Sequence, residues 1–312
     1  MKYGILSGAT WGLDTVILAM AVALVPFVGA TQAPIASALI HDVASTLILA
    51  VYMGTRGRLG DTAAALRTRS GKVVALGALL GGPVGMSGYL VAINNIGPAY
   101  TAIISTFYPA VGTFLAFVLL KERMRPHQVV ALLVALGAII AIGWSSTNDQ
   151  VSGNALLGVA GALACVLGWG SEAVVLTWGM RDDAVDNETA LQIRQMTSAL
   201  AYLFVIAPLA GSFGFALKSA MSPATAVVVL AALAGTTSYL FYYKALGSIG
   251  ASRGMALNIS YSAWAVIFAL VLQGSVPTPL QVVGCLVLLV GTVLAATPDW
   301  RELKLTRTAN AA

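Results

Sequence analysis

Two short stretches of this sequence place a tryptophan three residues before a carboxylate. Trp11 and Asp14 lie in TWGLD, and Trp169 and Glu172 lie in GWGSE, each within a run of mostly apolar residues. Residues three apart share one face of a helix, so each stretch presents an indole N–H beside an acid. These two faces can line a polar cavity that receives a ligand. Alternatively, they can hold neighbouring helices together through hydrogen bonds without touching any ligand.

Further aromatic and polar side chains occur within other apolar stretches of the chain. They are Tyr89, Tyr108, Tyr239, Tyr242, Asn258 and Tyr261. Aromatic rings stack on other rings and attract cations through their π faces, and an asparagine side chain both donates and accepts hydrogen bonds. Together these residues predict a pocket for a flat or apolar ligand with a polar head group. The alternative role of such rings is to fill gaps between helices.

His41 and Asp42 interrupt another apolar stretch. Histidine titrates near neutral pH and can carry a coupling proton, so His41 is a candidate site residue. The alternative is that it only satisfies the hydrogen bond of a neighbour. Adjacent residues of a helix point about 100° apart, so we expect only one of the two to reach a given site.

The helices that carry these residues are predicted to span a membrane. Hydrophobic residues make up 58% of the chain and charged residues 9%, with a mean hydropathy of +0.87. About 20 apolar residues in a row cross a bilayer as a helix, whereas a membrane barrel would show an alternating pattern. Ten apolar runs lie at 4–25, 34–53, 72–93, 99–120, 127–145, 154–178, 190–210, 223–243, 249–272 and 278–297. The sequence therefore predicts an all-α membrane protein with ten transmembrane helices.

The basic residues predict the orientation of these helices. Lysine and arginine are retained on the cytoplasmic side of short loops. With the N-terminus inside, the cytoplasmic segments hold Lys2 and the basic residues of 56–72 and 121–125, while Lys218 falls outside. Both termini are therefore expected in the cytoplasm of a multi-pass inner (plasma) membrane protein. This topology and contact with the lipid bilayer explain the net charge of +5, so no nucleic-acid partner is expected.

The two halves of the chain resemble each other. Trp11 and Trp169 differ by 158 positions, while Tyr89 and Tyr239, like Gly97 and Gly247, differ by 150. Each half holds five spans, an odd number, so the second half must cross the membrane in the opposite direction. We therefore expect two inverted five-helix repeats, 1–148 and 149–312, in one membrane unit. Inverted repeats are typical of secondary transporters, which bind substrate between the repeats near the middle of the membrane.

Several residues are candidate hinges for the movement of such repeats. They are Gly81, Gly82 and Pro83 in the third span and Pro109 in the fourth. Proline removes a backbone hydrogen bond and can kink a helix, and hinges absorb the backbone change when a cavity opens. Close helix packing is the alternative explanation for the glycines.

The sequence lacks the motifs of several other function classes. The chain contains neither GxxxxGK[ST] for a nucleotide nor HExxH for zinc, and Cys165 and Cys285 lie in apolar runs without metal-ligand spacing. We therefore expect no cofactor, no metal and no enzymatic activity. An intramembrane enzyme with Asp14 and Glu172 as an acid dyad is a remote alternative. Because one chain holds both repeats, we expect a monomer.

Three features of the sequence resemble a known family. Ten spans, a WG pair in the first helix of each half and LLKER at 119–123 are similar to the drug/metabolite transporter superfamily, specifically its EamA-type exporters. Among these the chain looks most like the YddG-type amino acid exporters. The second half reads VLQGS at 271–275 without the glutamate, so Glu122 is expected to serve local structure.

This resemblance implies a function. An exporter of this type moves small metabolites by alternating access through a central cavity, with aromatic and other apolar amino acids as the expected substrates. Cationic drugs or other metabolites are the alternative substrates.

Overall fold

The computed structural model describes residues 1–144, 153–181 and 185–300. Within these residues ten helices are long and apolar enough to cross a membrane, which confirms the predicted all-α architecture. They are α1 (Lys2–Val22), α2 (Ala33–Thr55), α3 (Arg69–Gly97), α4 (Tyr100–Leu120), α5 (Pro126–Trp144), α6 (Ala155–Gly179), α7 (Asn187–Leu209), α8 (Pro223–Ile249), α9 (Ala251–Gln273) and α10 (Pro279–Ala296). The predicted boundary between the halves, 148 to 149, lies outside the described residues.

Capping side chains set the start of several helices. The Thr278 hydroxyl accepts a hydrogen bond from the Gln281 backbone N–H, and the Gln281 side chain accepts one from the Thr278 N–H. Together they form a capping box before α10. Asp186 caps α7 by accepting hydrogen bonds from the backbone N–H groups of Glu188 and Thr189. These caps satisfy N–H groups that the first turn leaves without helical partners, close to where the sequence predicts the spans to begin.

Backbone landmarks relate the two halves at an interval of 153 residues. Gly97 and Gly250 both have positive φ, at 78° and 86°. Lys121 and Gly274 both adopt the left-handed conformation that ends a helix. α4 is interrupted at 106–107 and α9 at 259–260. The same irregularities therefore recur in the same order, as expected for two copies of one five-helix unit.

This register corrects the alignment that the sequence suggests. Pairing Gly97 with Gly247 and Tyr89 with Tyr239 is wrong by three residues, because Gly250 has the backbone conformation of Gly97. The same interval places Tyr242, rather than Tyr239, opposite Tyr89. Short matches such as GYL and SYL recur by chance in a chain rich in Gly, Leu and Tyr. A positive φ is imposed by the path of the backbone and therefore marks the register more reliably.

Ion pairs join the two halves at the face that carries the N-terminus. Arg56 bonds Glu188 at 2.9 Å, and Arg58 bonds both Glu188 and Asp186. Burial works against the ionised form of Asp186, but hydrogen bonds from Thr189 and Arg58 outweigh it and hold its pKa below the usual value. An open cleft of about 560 Å³ lies beside these residues, between the ends of α1, α2, α7 and α8. The connection between α2 and α3 is thus tied to the start of α7.

Apolar packing joins the halves at the opposite face. Phe27 follows α1, and its ring packs edge-on against Phe215, with 5.9 Å between the ring centroids. These rings belong to a buried cluster with Leu39 of α2, Tyr202 of α7 and Val228 of α8. The charged face and the apolar face thus close the bundle at its two ends by different means.

Glu122 has the structural role that the sequence predicts. Its carboxylate accepts hydrogen bonds from the backbone N–H groups of Ala251 and Ser252, at 2.9 and 3.0 Å. These N–H groups belong to the first turn of α9, where a negative charge also interacts favourably with the helix dipole. Glu122 of the first half therefore caps a helix of the second half.

The predicted orientation is testable by labelling single cysteines. We expect Arg67→Cys, between α2 and α3, to react only from the cytoplasm and Met221→Cys, between α7 and α8, only from outside, because the basic residues concentrate at the first face. The background is Cys165→Ala with Cys285→Ala, since both native thiols are buried. The measurement is maleimide labelling of intact and permeabilised cells. Labelling of both positions from the same side contradicts the ten-span topology.

Candidate substrate site

A closed aromatic pocket lies at the centre of the bundle, between the two halves. Six rings line it together with Glu172, Ala173 and Asn258. The six rings are Trp11 of α1, Tyr108 of α4, Trp169 of α6, Tyr239 and Tyr242 of α8, and Tyr261 of α9. Tyr89 of α3 does not line the pocket but packs against Trp169, with 5.4 Å between the ring centroids. Both halves therefore contribute to one site.

The repeated tryptophans meet at this pocket. Trp11 and Trp169 make an edge-to-face contact with centroids 6.4 Å apart. Trp11 also packs against Tyr239 at 5.3 Å and Tyr261 at 5.6 Å, while Tyr108 meets Trp169 edge-on at 5.8 Å. Such contacts contribute about 0.5–1.5 kcal/mol each beyond the area they bury. The rings thus hold one another in place as well as forming the wall.

The pocket is almost filled by its own walls. Its free volume is about 20 Å³, which is room for roughly one water molecule. An organic ligand can enter only after the rings have moved apart. The structure therefore shows the site in a closed state.

A chain of hydrogen bonds fixes one wall of the pocket. The Tyr108 hydroxyl donates to Asn258 Oδ1 at 3.0 Å, and Asn258 Nδ2 donates to Ser7 Oγ at 2.7 Å. Ser7 in turn bonds Ser238 on α8. The break in α9 at 259–260 comes directly after Asn258, and the break in α4 comes directly before Tyr108. Interrupted helices of this kind form the midplane sites of many transporters.

A buried ion pair borders the pocket on the side of the second half. Arg194 Nε donates to Glu172 Oε1 at 2.8 Å, and Arg194 Nη1 donates to Gln195 Oε1 at 2.7 Å. The guanidinium also lies over the ring of Tyr239, with 4.6 Å between Cζ and the centroid. Both side chains are at most 10% exposed. Charges this far from water need partners, and each of these has one.

The first half carries a second charged cluster. His41 Nε2 lies 3.1 Å from Asp14 Oδ1, and His41 Nδ1 lies 3.5 Å from Asp42 Oδ1. The Ser198 hydroxyl of α7 donates to Asp42 Oδ2. Contrary to the expectation that only one of His41 and Asp42 reaches a given site, both join this cluster. They do so from different directions, His41 towards α1 and Asp42 towards α7.

The structure separates the predicted site residues into groups. Trp11, Tyr108, Trp169, Glu172, Tyr239, Tyr242, Asn258 and Tyr261 meet at the pocket. Asp14 and His41 instead pair with each other, and Asp14 follows the pocket residue Trp11 by one helical turn. Asp14 and Glu172 bond different basic residues, so they do not form the acid dyad of the enzyme alternative.

The residue that pairs with Glu172 is not among the site residues predicted from the sequence. This residue, Arg194, lies two turns inside α7 and is 4% exposed. The sequence does contain a signal for this residue, because Arg194 and Gln195 stand side by side within the predicted span 190–210. An ionisable residue inside a membrane helix is a candidate site residue by default.

The predicted hinge residues lie where helices approach closely. Gly81, Gly82 and Pro83 belong to a π-helical segment, Leu80–Met86, inside α3. A Cβ atom on Gly81 would collide with the Glu172 carboxylate, and one on Gly82 with the Ser198 hydroxyl. Pro109 follows the interruption of α4 at its second helical position, where proline is tolerated. The two glycines thus make room for the polar groups, and their role as hinges stays a prediction.

Known proteins share this architecture. The sequence pattern of the EamA-like transporter family matches residues 1–144 and 156–297. Protein LicB of Haemophilus influenzae is 28% identical over 223 residues, which cover 70% of this chain and 73% of that protein. A solved crystal structure of a protein superposes with a TM-score of 0.67 at 17% identity, covering 95% of this chain and 99% of the other. This last likeness concerns the fold alone, whereas the family pattern matches both halves.

Close packing at Gly81 can be tested with a matched glycine. We expect Gly81→Ala to destabilise the protein by about 1–3 kcal/mol, because the methyl group displaces the Glu172 carboxylate. Gly137→Ala is the control, since a Cβ there meets nothing within 4 Å. Thermal unfolding in detergent compares the two variants. Equal melting temperatures would show that the approach of α3 to α6 is looser than the structure indicates.

Proposed function

The chain belongs to the EamA-like transporter family, and we propose that it carries a small organic cation through the central pocket. As a member of this family, the protein is a multi-pass membrane transporter. In the proposal it works as a secondary transporter by alternating access, exporting its cargo across the inner (plasma) membrane. The observation that carries the proposal is the enclosure of one pocket by six aromatic rings and a carboxylate.

Aromatic cages of this composition favour cations. The π face of tryptophan or tyrosine attracts a positive charge, and the attraction grows when water is excluded. Quaternary ammonium groups suit such a site because they carry no N–H and need no hydrogen-bond acceptors. The walls supply six rings and only one carboxylate, Glu172, whose Oε1 already accepts from Arg194. A quaternary ammonium head group is therefore the cargo that the pocket fits best.

The charge around the pocket favours the same conclusion. Asp14, Asp42 and Glu172 are acidic, while Arg194 and His41 are basic. With a protonated His41 these five groups carry a net charge of −1, and with a neutral His41 they carry −2. Negative charge inside a membrane is costly. A cation in the pocket reduces this excess charge.

Aromatic amino acids are the second candidate cargo. The rings that attract a cation also stack on an aromatic side chain, and Asn258 lines the pocket beside them. A zwitterionic amino acid additionally needs a positive partner for its carboxylate. Arg194 is the nearest candidate, but it would have to leave Glu172 and Gln195. This cost makes the amino acid the weaker candidate.

Transport of any such cargo requires the closed pocket to open to each side in turn. The cleft between α1, α2, α7 and α8 reaches in from the face of the N-terminus, while the apolar cluster around Phe27 closes the other face. Opening to the outside therefore requires separation of that apolar cluster. Opening to the inside requires changes among the ion pairs of Arg56 and Arg58 with Glu188.

Binding of simple ions to the purified protein tests the cargo class. We expect tetramethylammonium and choline to bind more tightly than phenylalanine. Trp169→Ala should weaken the binding of tetramethylammonium by about tenfold or more, because a desolvated cation–π contact contributes about 2 kcal/mol. Trp144→Ala is the matched control, since this tryptophan is 65% exposed at the end of α5. Isothermal titration calorimetry gives the affinities. Phenylalanine binding without tetramethylammonium binding would replace the cation by the amino acid candidate.

The carboxylate of the pocket provides a second test of the charge. We expect Glu172→Gln to weaken tetramethylammonium binding by about tenfold, because it removes the negative charge and leaves Arg194 without its carboxylate partner beside the pocket. Binding of neopentyl alcohol, a neutral ligand with the same branched shape plus one hydroxyl group, should change much less. A similar loss for both ligands would indicate damage to the pocket rather than recognition of charge. Uptake of both ligands into proteoliposomes shows whether the binding differences extend to transport.

A further inference from the structure

The two buried charge pairs occupy equivalent places in the two halves. Asp14 and Glu172 lie 158 positions apart, five more than the landmark interval, and are matched by the repeated tryptophan that each follows by three residues, on α1 and α6. His41 and Arg194 differ by 153 positions, the interval that relates Gly97 to Gly250. Each of these two basic residues lies on the next helix of its own half and bonds the acid of that half. The same kind of acid–base contact therefore occurs in both halves, with a different base in each.

The difference between the bases changes what each pair can do. An arginine guanidinium stays charged at every accessible pH, so the Glu172–Arg194 pair has a fixed positive partner. A histidine exchanges a proton in the physiological range. Of the two equivalent contacts, only the one in the first half has a base that can give up its charge.

We propose that Asp14, His41 and Asp42 form the proton-binding site of this transporter, and that the Glu172–Arg194 pair is its permanently charged counterpart. The proposal rests on the proposed transport function and adds the group through which a proton couples to it. In the state described by the structure, the proton is bound on the imidazole ring of His41.

The geometry of the ring indicates that the proton is present. Both ring nitrogens face a carboxylate oxygen, Nε2 towards Asp14 and Nδ1 towards Asp42. A carboxylate oxygen accepts hydrogen bonds, and a neutral imidazole has only one N–H to donate. The doubly protonated ring satisfies both contacts, whereas a neutral ring would set a lone pair against one of the carboxylates.

Several of the helices packed around the His41 ring carry charged groups near it. α1 supplies Asp14, and α2 itself supplies Asp42. α7 supplies Arg194, whose charge acts on Asp42, and Arg194 in turn neutralises Glu172 of α6. α8 approaches with Gly235, which leaves space for the Asp14 carboxylate and the ring, and with Tyr239 one turn further on. Two negative groups thus face His41 directly, and the nearest positive group is already paired.

The cluster is placed to sense movement of the pocket walls. Asp14 follows the pocket residue Trp11 by one turn of α1, and Asp42 is tied to α7 through Ser198. If α1 moves away from α2 when the pocket opens, His41 loses its acceptor at Asp14. The ring then releases one proton to water and becomes neutral, and the charge of the five-residue group falls from −1 to −2. Binding of a cation in the pocket and binding of a proton at His41 are thereby linked.

The decisive variant is His41→Arg, which gives the first half the same type of base that Arg194 provides in the second half. In proteoliposomes with an internal pH dye and a clamped membrane potential, we expect a tetramethylammonium gradient to drive a pH change in the wild type. In His41→Arg, downhill tetramethylammonium movement should continue while the pH change is lost, because the new base cannot release a proton. His127→Asn, which changes the second histidine of the chain, at the start of α5, should keep the wild-type pH change. Cargo movement without any pH change in the wild type, or a pH change that persists in His41→Arg, overturns the proposal.

A second measurement does not depend on the cargo. The chain contains two histidines, so in His127→Asn the nitrogen NMR spectrum of labelled histidine reports on His41 alone. We expect a ring with two N–H groups at pH 7, and a ring with one N–H group when Asp14→Asn is added. A neutral ring without the Asp14 change, or a doubly protonated ring that persists in Asp14→Asn, overturns the proposal. If the wild type moves no tetramethylammonium, the proposed cargo fails while this measurement still decides the role of His41.

Discussion

Charges inside a membrane must find their partners within the protein, and this constraint organises the centre of the molecule. Asp14, His41, Asp42, Glu172 and Arg194 all lie within membrane spans. An unpaired charge there costs several kcal/mol. Each of the three acids therefore contacts a basic side chain, and the contacts join α1 to α2, α6 to α7 and, through Ser198, α2 to α7. The position of these helices is set as much by the charges as by apolar packing.

Space for these charges comes from residues without side chains. Gly81, Gly82 and Gly235 face the Glu172 carboxylate, the Ser198 hydroxyl and the Asp14–His41 pair. A helix can approach a buried polar group closely only where no Cβ intervenes. The π-helical segment Leu80–Met86 contains two of these glycines, and such segments are frequent at functional sites. Local irregularity of α3 is therefore part of how the charged pairs fit into the bundle.

The backbones of the two inverted repeats are related by symmetry, whereas the side chains at equivalent positions differ. Tyr108 and Tyr261 follow the two helix interruptions at equivalent positions, and both line the pocket. Glu172 lines the pocket as well, whereas its counterpart Asp14 does not. Symmetry of the backbone brings equivalent helices to the centre, while the choice of side chain differs between the halves. Differences of this kind allow equivalent positions of the two halves to serve different tasks.

The sequence alone determined the number, type and approximate bounds of the membrane helices, because about 20 apolar residues in a row leave few alternatives to a membrane helix. It also identified most residues that meet at the pocket, since aromatic and ionisable side chains are conspicuous in apolar spans. Tertiary structure decided which groups bond each other: Arg194 with Glu172, His41 with both Asp14 and Asp42, and Glu122 with the start of α9. It also decided the repeat register, which short motifs placed three residues away from the backbone landmarks. Hydrophobicity acts along each helix and is readable residue by residue, whereas pairing depends on which helices become neighbours and on how they are rotated, and that emerges only when the whole bundle packs.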